Sequence, residues 1–155
     1  MKPRLNPFQA APNAMTAMAA LESQIAQFGL EPSLVELVKI RASQINGCAF
    51  CLHMHTRDAR AHGETEERLY LLGAWRESPL YMERERAALA WTEALTLVAG
   101  SHVPDAVYEQ ARAEFGEEEL VKLTFLVTTI NAWNRFAIAF RSIHPRRAPL
   151  DTAAG

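Results

Sequence analysis

Proline and glycine cut this chain into lengths that suit helices and little else. Between Pro12 and Pro145 the apolar residues recur at intervals of three and four, and no segment alternates apolar and polar positions between turn signals as a half-buried strand would. Asn13 is placed to cap a helix over residues 14–28, with Met15, Met18, Leu21, Ile25 and Phe28 on one face and Gly29 ending it. Pro32 suits a first helical position, and Leu34, Leu37, Val38, Arg41 and Ile45 carry a second helix to Asn46-Gly47. Val35 and Ile40 widen its apolar face, so this helix is expected to be buried on most sides. A third helix runs from the cysteines to Gly63, and Thr65 caps a short one through Leu72 that Gly73 ends. Ser78-Pro79 opens a helix over residues 80–98, Pro104-Asp105 another to Phe115, and a last long one over residues 117–143 stops before Pro145. The expectation is an all-α, compact single-domain bundle of about six to eight helices. Residues 1–12, with Pro3, Pro7 and Pro12, read as an extended N-terminal arm, residues 13–144 as the domain, and residues 145–155 as a frayed tail.

Composition narrows the function classes. At 155 residues and 49% hydrophobic, the chain can bury one sizeable core, and no second domain is expected. The net charge of −2 and the lack of any dense basic run beyond Arg146-Arg147 argue against a nucleic-acid surface, which needs clustered cations. The start, from Met1 to Pro7, carries positive charge with no apolar run behind it, and no window approaches the roughly eighteen unbroken apolar residues of a membrane span. A cytoplasmic location is therefore expected, with no membrane and no nucleic acid among the partners.

Both cysteines lie in Gly47-Cys48-Ala49-Phe50-Cys51-Leu52-His53-Met54-His55. Random placement would set two cysteines three apart in only about one arrangement in a hundred, and in a reducing compartment such a pair is more plausibly a working dithiol than a structural staple. With Asn46-Gly47 as the turn before them, the cysteines fall in the first turn of a helix. Cys48, Cys51 and His55, at steps of three and four, then share one stripe. The helix N-terminus favours thiolate, and an imidazole one turn on can take or return its proton. By position alone Cys48, nearer the helix end, is the better thiolate. Zinc is the rival reading, with Cys48, Cys51, His53 and His55 as ligands; but His53 points off the stripe, and metal knuckles draw their second ligand pair from a distant segment, so no metal is expected. The words Glu36-Leu37-Val38-Lys39-Ile40 with Ile45-Asn46 are echoed by Glu119-Leu120-Val121-Lys122-Leu123 with Ile130-Asn131, two residues longer between the halves.

Glu36, Cys48-x-x-Cys51 and His55 in a small all-α chain resemble the AhpD-like alkylhydroperoxidase family, within the wider carboxymuconolactone decarboxylase superfamily. The motif covers about residues 31–63, and Ile130-Asn131-Ala132-Trp133-Asn134-Arg135 is similar to the single-core members. The resemblance implies a thiol-dependent peroxidase: Glu36 and His55 in a proton relay, Cys51 oxidised to sulfenic acid, Cys48 its partner in the disulfide, no bound cofactor, and an external dithiol or protein as reductant. It also implies a homo-oligomer, trimer or hexamer. On the thiol that attacks, it favours Cys51 over the helix-end argument, since a nearby base can outweigh a partial dipole charge. The sequence departs from the best-known members at Phe50, where they carry histidine. Phe50, His53, Trp133 and Asn134 are further candidates for lining the site. Two other functions fit the same residues: a reductase or sensor acting on protein or lipoyl-type disulfides without peroxide turnover, and a helical oligomeric ligand-binding protein whose dithiol is a switch.

Overall fold

The structure, a computed structural model, describes residues 2–145. All but the first residue of the expected tail, Arg146-Arg147 included, lies outside the described residues. Among those described there are nine α-helices and one 3-10 turn, in the order α1 (Pro7–Ala10), α2 (Pro12–Ile25), α3 (Pro32–Asn46), α4 (Ala49–Ala61), α5 (Glu66–Leu71), the turn Leu72–Ala74, α6 (Glu83–Thr96), α7 (Val98–Ser101), α8 (Asp105–Glu114) and α9 (Glu117–Phe140). The fold is all-α.

The bundle is organised around α3, which packs against α4, α6 and α9. Its wide apolar face serves two cores. Leu34 and Val38 join Ile25, Trp91, Phe115, Leu123 and Val127 in one. Leu37 and Ile40 join Leu72, Trp75, Tyr81 and Leu89 in the other. Each of these α3 side chains is 3% exposed or less, and each such burial contributes about 2 kcal/mol. α6 is shared in the same way, with Ala88 and Trp91 turned to the first core and Leu89 and Ala90 to the second.

Several boundaries differ from the expected ones, each for a local reason. α2 starts at Pro12, so Asn13 lies inside its first turn rather than capping it; proline needs no amide partner there and its fixed φ is already helical. The helix ends at Ile25 because the amides of Gln27 and Phe28 tighten to Gln24 and Ile25 carbonyls before Gly29, at φ 79°, turns the chain. The expected extended arm contains the single turn α1, whose first amide N–H, that of Phe8, is served by Asn6: its Oδ1 accepts from it at 3.0 Å. α6 starts at Glu83, not at residue 80, because Glu85 reaches back to accept from the Met82 amide at 2.9 Å, and Arg68 holds that carboxylate at 2.5 Å. Its far end breaks at Leu97 into the separate turn α7. α9 stops at Phe140, not Ile143: Arg141 adopts φ 55°, the Ser142 amide returns to Ala137, and Arg4 bonds the carbonyls of Ala139 (side chain, 3.0 Å) and Phe140 (amide, 3.0 Å).

The two echoing words fall on α3 and α9, which face each other. Their asparagines meet: Asn46 donates to Asn131 Oδ1 at 2.9 Å and to Asn134 Oδ1 at 2.8 Å. Asn134, 0% exposed, donates in turn to Ser43 Oγ at 3.0 Å, and Asn131 to Thr96 Oγ1 at 3.0 Å. This buried polar chain ties the C-terminal end of α3, just ahead of the cysteines, to α9 and α6.

Candidate active site

The first dithiol sulfur is placed by a turn. Gly47, at φ 70°, closes α3 and lets the Cys48 amide return to the Ser43 carbonyl at 3.0 Å. Cys48 then leaves with extended backbone and becomes the N-cap of α4, its Sγ accepting from the Cys51 amide at 3.3 Å. So only Cys51 sits in the helix's first turn; Cys48 caps it. The two are joined as a disulfide, with Cα atoms 5.4 Å apart. Cys48 is 1% exposed and Cys51 2%.

His55 follows Cys51 by one turn of α4. Its Nδ1 lies 2.9 Å from Oε2 of Glu36 on α3, with side-chain exposures of only 7% and 12%. A carboxylate can only accept, so Nδ1 carries the hydrogen and Nε2 is the nitrogen left for proton exchange. The other cations of α3 have their own partners: Lys39 bonds Glu22 at 2.5 Å and Arg41 bonds Glu93 at 2.8 Å.

Cys51, His55 and Glu36 open together onto a cavity of about 520 Å³. Its walls are mainly apolar: Pro7 and Phe8 from α1, Met15 from α2, Phe50 and Met54 from α4, and Ile130, Trp133, Phe136 and Ala137 from α9. Trp133 is fixed on both sides. Its Nε1 donates to Glu22 Oε2 at 3.1 Å, and Phe8 stacks on it at 6.5 Å between centroids with 13° between planes. Glu22, Lys39, Asp58 and Ser142 supply the remaining polar lining.

Of the candidate lining residues, Phe50 and Trp133 reach the cavity, while His53 and Asn134 lie elsewhere. His53, rotated off the Cys51–His55 stripe, stacks on His144 at 4.7 Å with 15° between planes. Asn134 faces α3 and is consumed by the buried polar chain. Cys48 does not line the cavity either; it lies behind Cys51. Phe8, Met15, Glu22, Lys39, Met54, Asp58 and Phe136 were not among the expected site residues. Met54 and Asp58 follow Cys51 at three and seven, and Lys39 follows Glu36 at three, so helical spacing from the motif points to them; nothing local points to Phe8 or Glu22. Among the described residues no group of three or more histidine, cysteine or acidic side chains is placed to hold a metal ion. None of the helices among the described residues is long and apolar enough to cross a membrane.

A helical bundle whose cavity meets a CxxC disulfide at a helix start, backed by a buried glutamate–histidine pair, defines a protein of the AhpD-like type. The chain belongs to the carboxymuconolactone decarboxylase family, whose model matches residues 10–94. It is 44% identical over 139 residues to the uncharacterised protein YdfG of Bacillus subtilis, covering 90% of this chain and 95% of that one. The crystal structure of a protein of unknown function from Agrobacterium tumefaciens, with a suggested antioxidant-defence role as an AhpD, superimposes with a TM-score of 0.92 at 46% identity, over 94% of this chain and 100% of that one. The debrominase Bmp8 shares the fold at a TM-score of 0.80 with 20% identity, over 89% and 74% of the two chains.

Proposed function

We propose that the protein is a thiol-dependent peroxidase acting on hydroperoxides with an apolar body. One observation carries the reading: Cys51 opens onto the apolar cavity beside the His55–Glu36 pair, while Cys48, its disulfide partner, lies sealed behind it. This difference in access to the cavity supports Cys51 as the thiol that meets substrate and Cys48 as the one that resolves it.

His55 takes the Cys51 thiol proton, and Glu36 steadies the resulting imidazolium. The thiolate attacks the terminal oxygen of ROOH; the S–O bond forms as the O–O bond breaks, and the alkoxide takes the proton back from His55 and leaves as ROH. The Cys48 thiol then attacks the Cys51 sulfenic acid, forming the S–S bond and releasing water. An external dithiol supplies two electrons and two protons to restore both thiols, and is itself oxidised to a disulfide. The cavity offers hydrogen peroxide far more room than it needs, since a molecule near the size of water displaces about 30 Å³. The working unit is a homo-oligomer, supported by exposed Val121 and Phe125 on the outer face of α9, 56% and 45% exposed.

The test is intact-mass spectrometry of the reduced protein after mixing with hydrogen peroxide and with organic hydroperoxides. Wild type should lose two hydrogens, Cys48→Ser should hold a sulfenic adduct, and Cys51→Ser should react no faster than a free thiol. Oxidation of the wild type at the free-thiol rate would remove the peroxidase reading and leave disulfide exchange in its place.

A further inference from the structure

Beyond Glu36 and His55, the polar residues of the cavity complete a charge pattern that the peroxidase chemistry does not use. Three carboxylates line it, Glu22, Glu36 and Asp58, against two groups that can be cationic, Lys39 and His55. Each cation is already matched: His55 to Glu36 at 2.9 Å and Lys39 to Glu22 at 2.5 Å. Asp58 is engaged by Arg57, outside the cavity, at 2.8 Å. Lys39 is 11% exposed on its side chain, so its ammonium has little water to share with a second anion. A carboxylate entering with a substrate would lose its hydration and meet no unmatched cation among the described residues.

We infer that Glu22 sets the charge specificity of the cavity: it admits uncharged, bulky hydroperoxides and refuses those that carry a carboxylate. This deepens the peroxidase reading and rests on it for turnover. Glu22 does so by occupying Lys39, the one ammonium among the described residues of the cavity wall, while its other oxygen accepts the Trp133 N–H and holds the indole in the wall. Glu22→Gln keeps an oxygen for Trp133 but removes the charge that neutralises Lys39, and so converts the cavity into one with an available cation.

The experiment compares cumene hydroperoxide bearing a para carboxylate with its methyl ester, in steady-state turnover driven by dithiothreitol. The two share one reactive group and nearly one shape. Wild type should favour the ester in kcat/KM by roughly tenfold or more, the order of one unpaired charged hydrogen bond. In Glu22→Gln that ratio should fall to near unity or invert. Equal use of both by the wild type, or an unchanged ratio in Glu22→Gln, would overturn the assignment; thermal melts of the variant keep misfolding from imitating a loss of preference. Binding of the two product alcohols, followed by the Trp133 indole N–H resonance, reads the same discrimination without turnover. If neither hydroperoxide is consumed but the uncharged alcohol alone binds, the peroxidase reading fails and the charge specificity stands; if both alcohols bind alike, the charge specificity fails.

Discussion

Asn134 and Thr129 are both buried polar residues of α9, and the structure predicts opposite outcomes for their removal. Asn134 is 0% exposed, accepts from Asn46 at 2.8 Å and donates to Ser43 Oγ at 3.0 Å. Asn134→Ala deletes two hydrogen bonds worth about 1 kcal/mol each, and it strands the Ser43 hydroxyl, also 0% exposed, at a further 1–3 kcal/mol or so. Asn46 keeps its bond to Asn131, so its cost is limited. The sum is about 3–5 kcal/mol, which for a domain of this size lowers Tm by roughly 10 °C or more. Thr129 Oγ1 is buried with no partner among the described residues, so Thr129→Val removes a hydroxyl that contributes no bond, and Tm should hold or rise. Circular dichroism melts of the reduced proteins measure both. A drop of less than about 3 °C for Asn134→Ala, or matching drops for the two variants, would refute the view that this polar chain pins the end of α3 to α9.

Two further perturbations separate chemistry from scaffold. Glu36→Gln preserves shape and an acceptor for His55 but removes the charge that supports the imidazolium; Cys51 oxidation by organic hydroperoxide, followed by stopped flow, should slow by about a hundredfold with the melt nearly unchanged, and an unaltered rate would exclude Glu36 from the relay. At Glu93, burial works against the ionised form, but hydrogen bonds from Trp75, Arg76 and Arg41 outweigh it and hold the carboxyl below its ordinary value. A carboxyl depressed in the folded state stabilises above its unfolded pKa and loses that contribution as pH falls through the folded one. Wild type should therefore lose stability as pH drops below about 4.5, and Glu93→Gln should be less stable at neutral pH with a flatter acid limb in urea titrations at stepped pH.

What could be read from residues alone divides by range of interaction. Pro12, Pro32, Gly47, Gly63 and Gly116 act on their own backbone, so they mark helix ends wherever the rest of the chain goes. The start of α6 could not be read this way, because its cap is a glutamate held by Arg68 of a different helix. Cys51 and His55 share one helix, and their spacing alone places them together. Glu36 comes from another helix and enters only through resemblance, since nothing in its neighbourhood distinguishes it from a solvent-facing partner of Lys39 or Arg41. His53 and Asn134 stand beside the right neighbours in sequence but on the wrong faces of their helices. Phe8 and Glu22 belong to segments with no motif, and they become wall residues only when α2 packs against α9 and Phe8 stacks on Trp133.

The wall supplied by α1 lies outside the part of the chain that the family model matches. The family model begins at residue 10, and the dithiol, its glutamate and its histidine all fall within the matched part. Pro7 and Phe8 fall before it, on a single helical turn that buries no residue of its own. Arg4 anchors that strip to the last carbonyls of α9. A change confined to the first nine residues would leave Glu36, the CxxC pair and His55 untouched while reshaping one wall of the cavity, so the form of the cavity can vary without any change in α4.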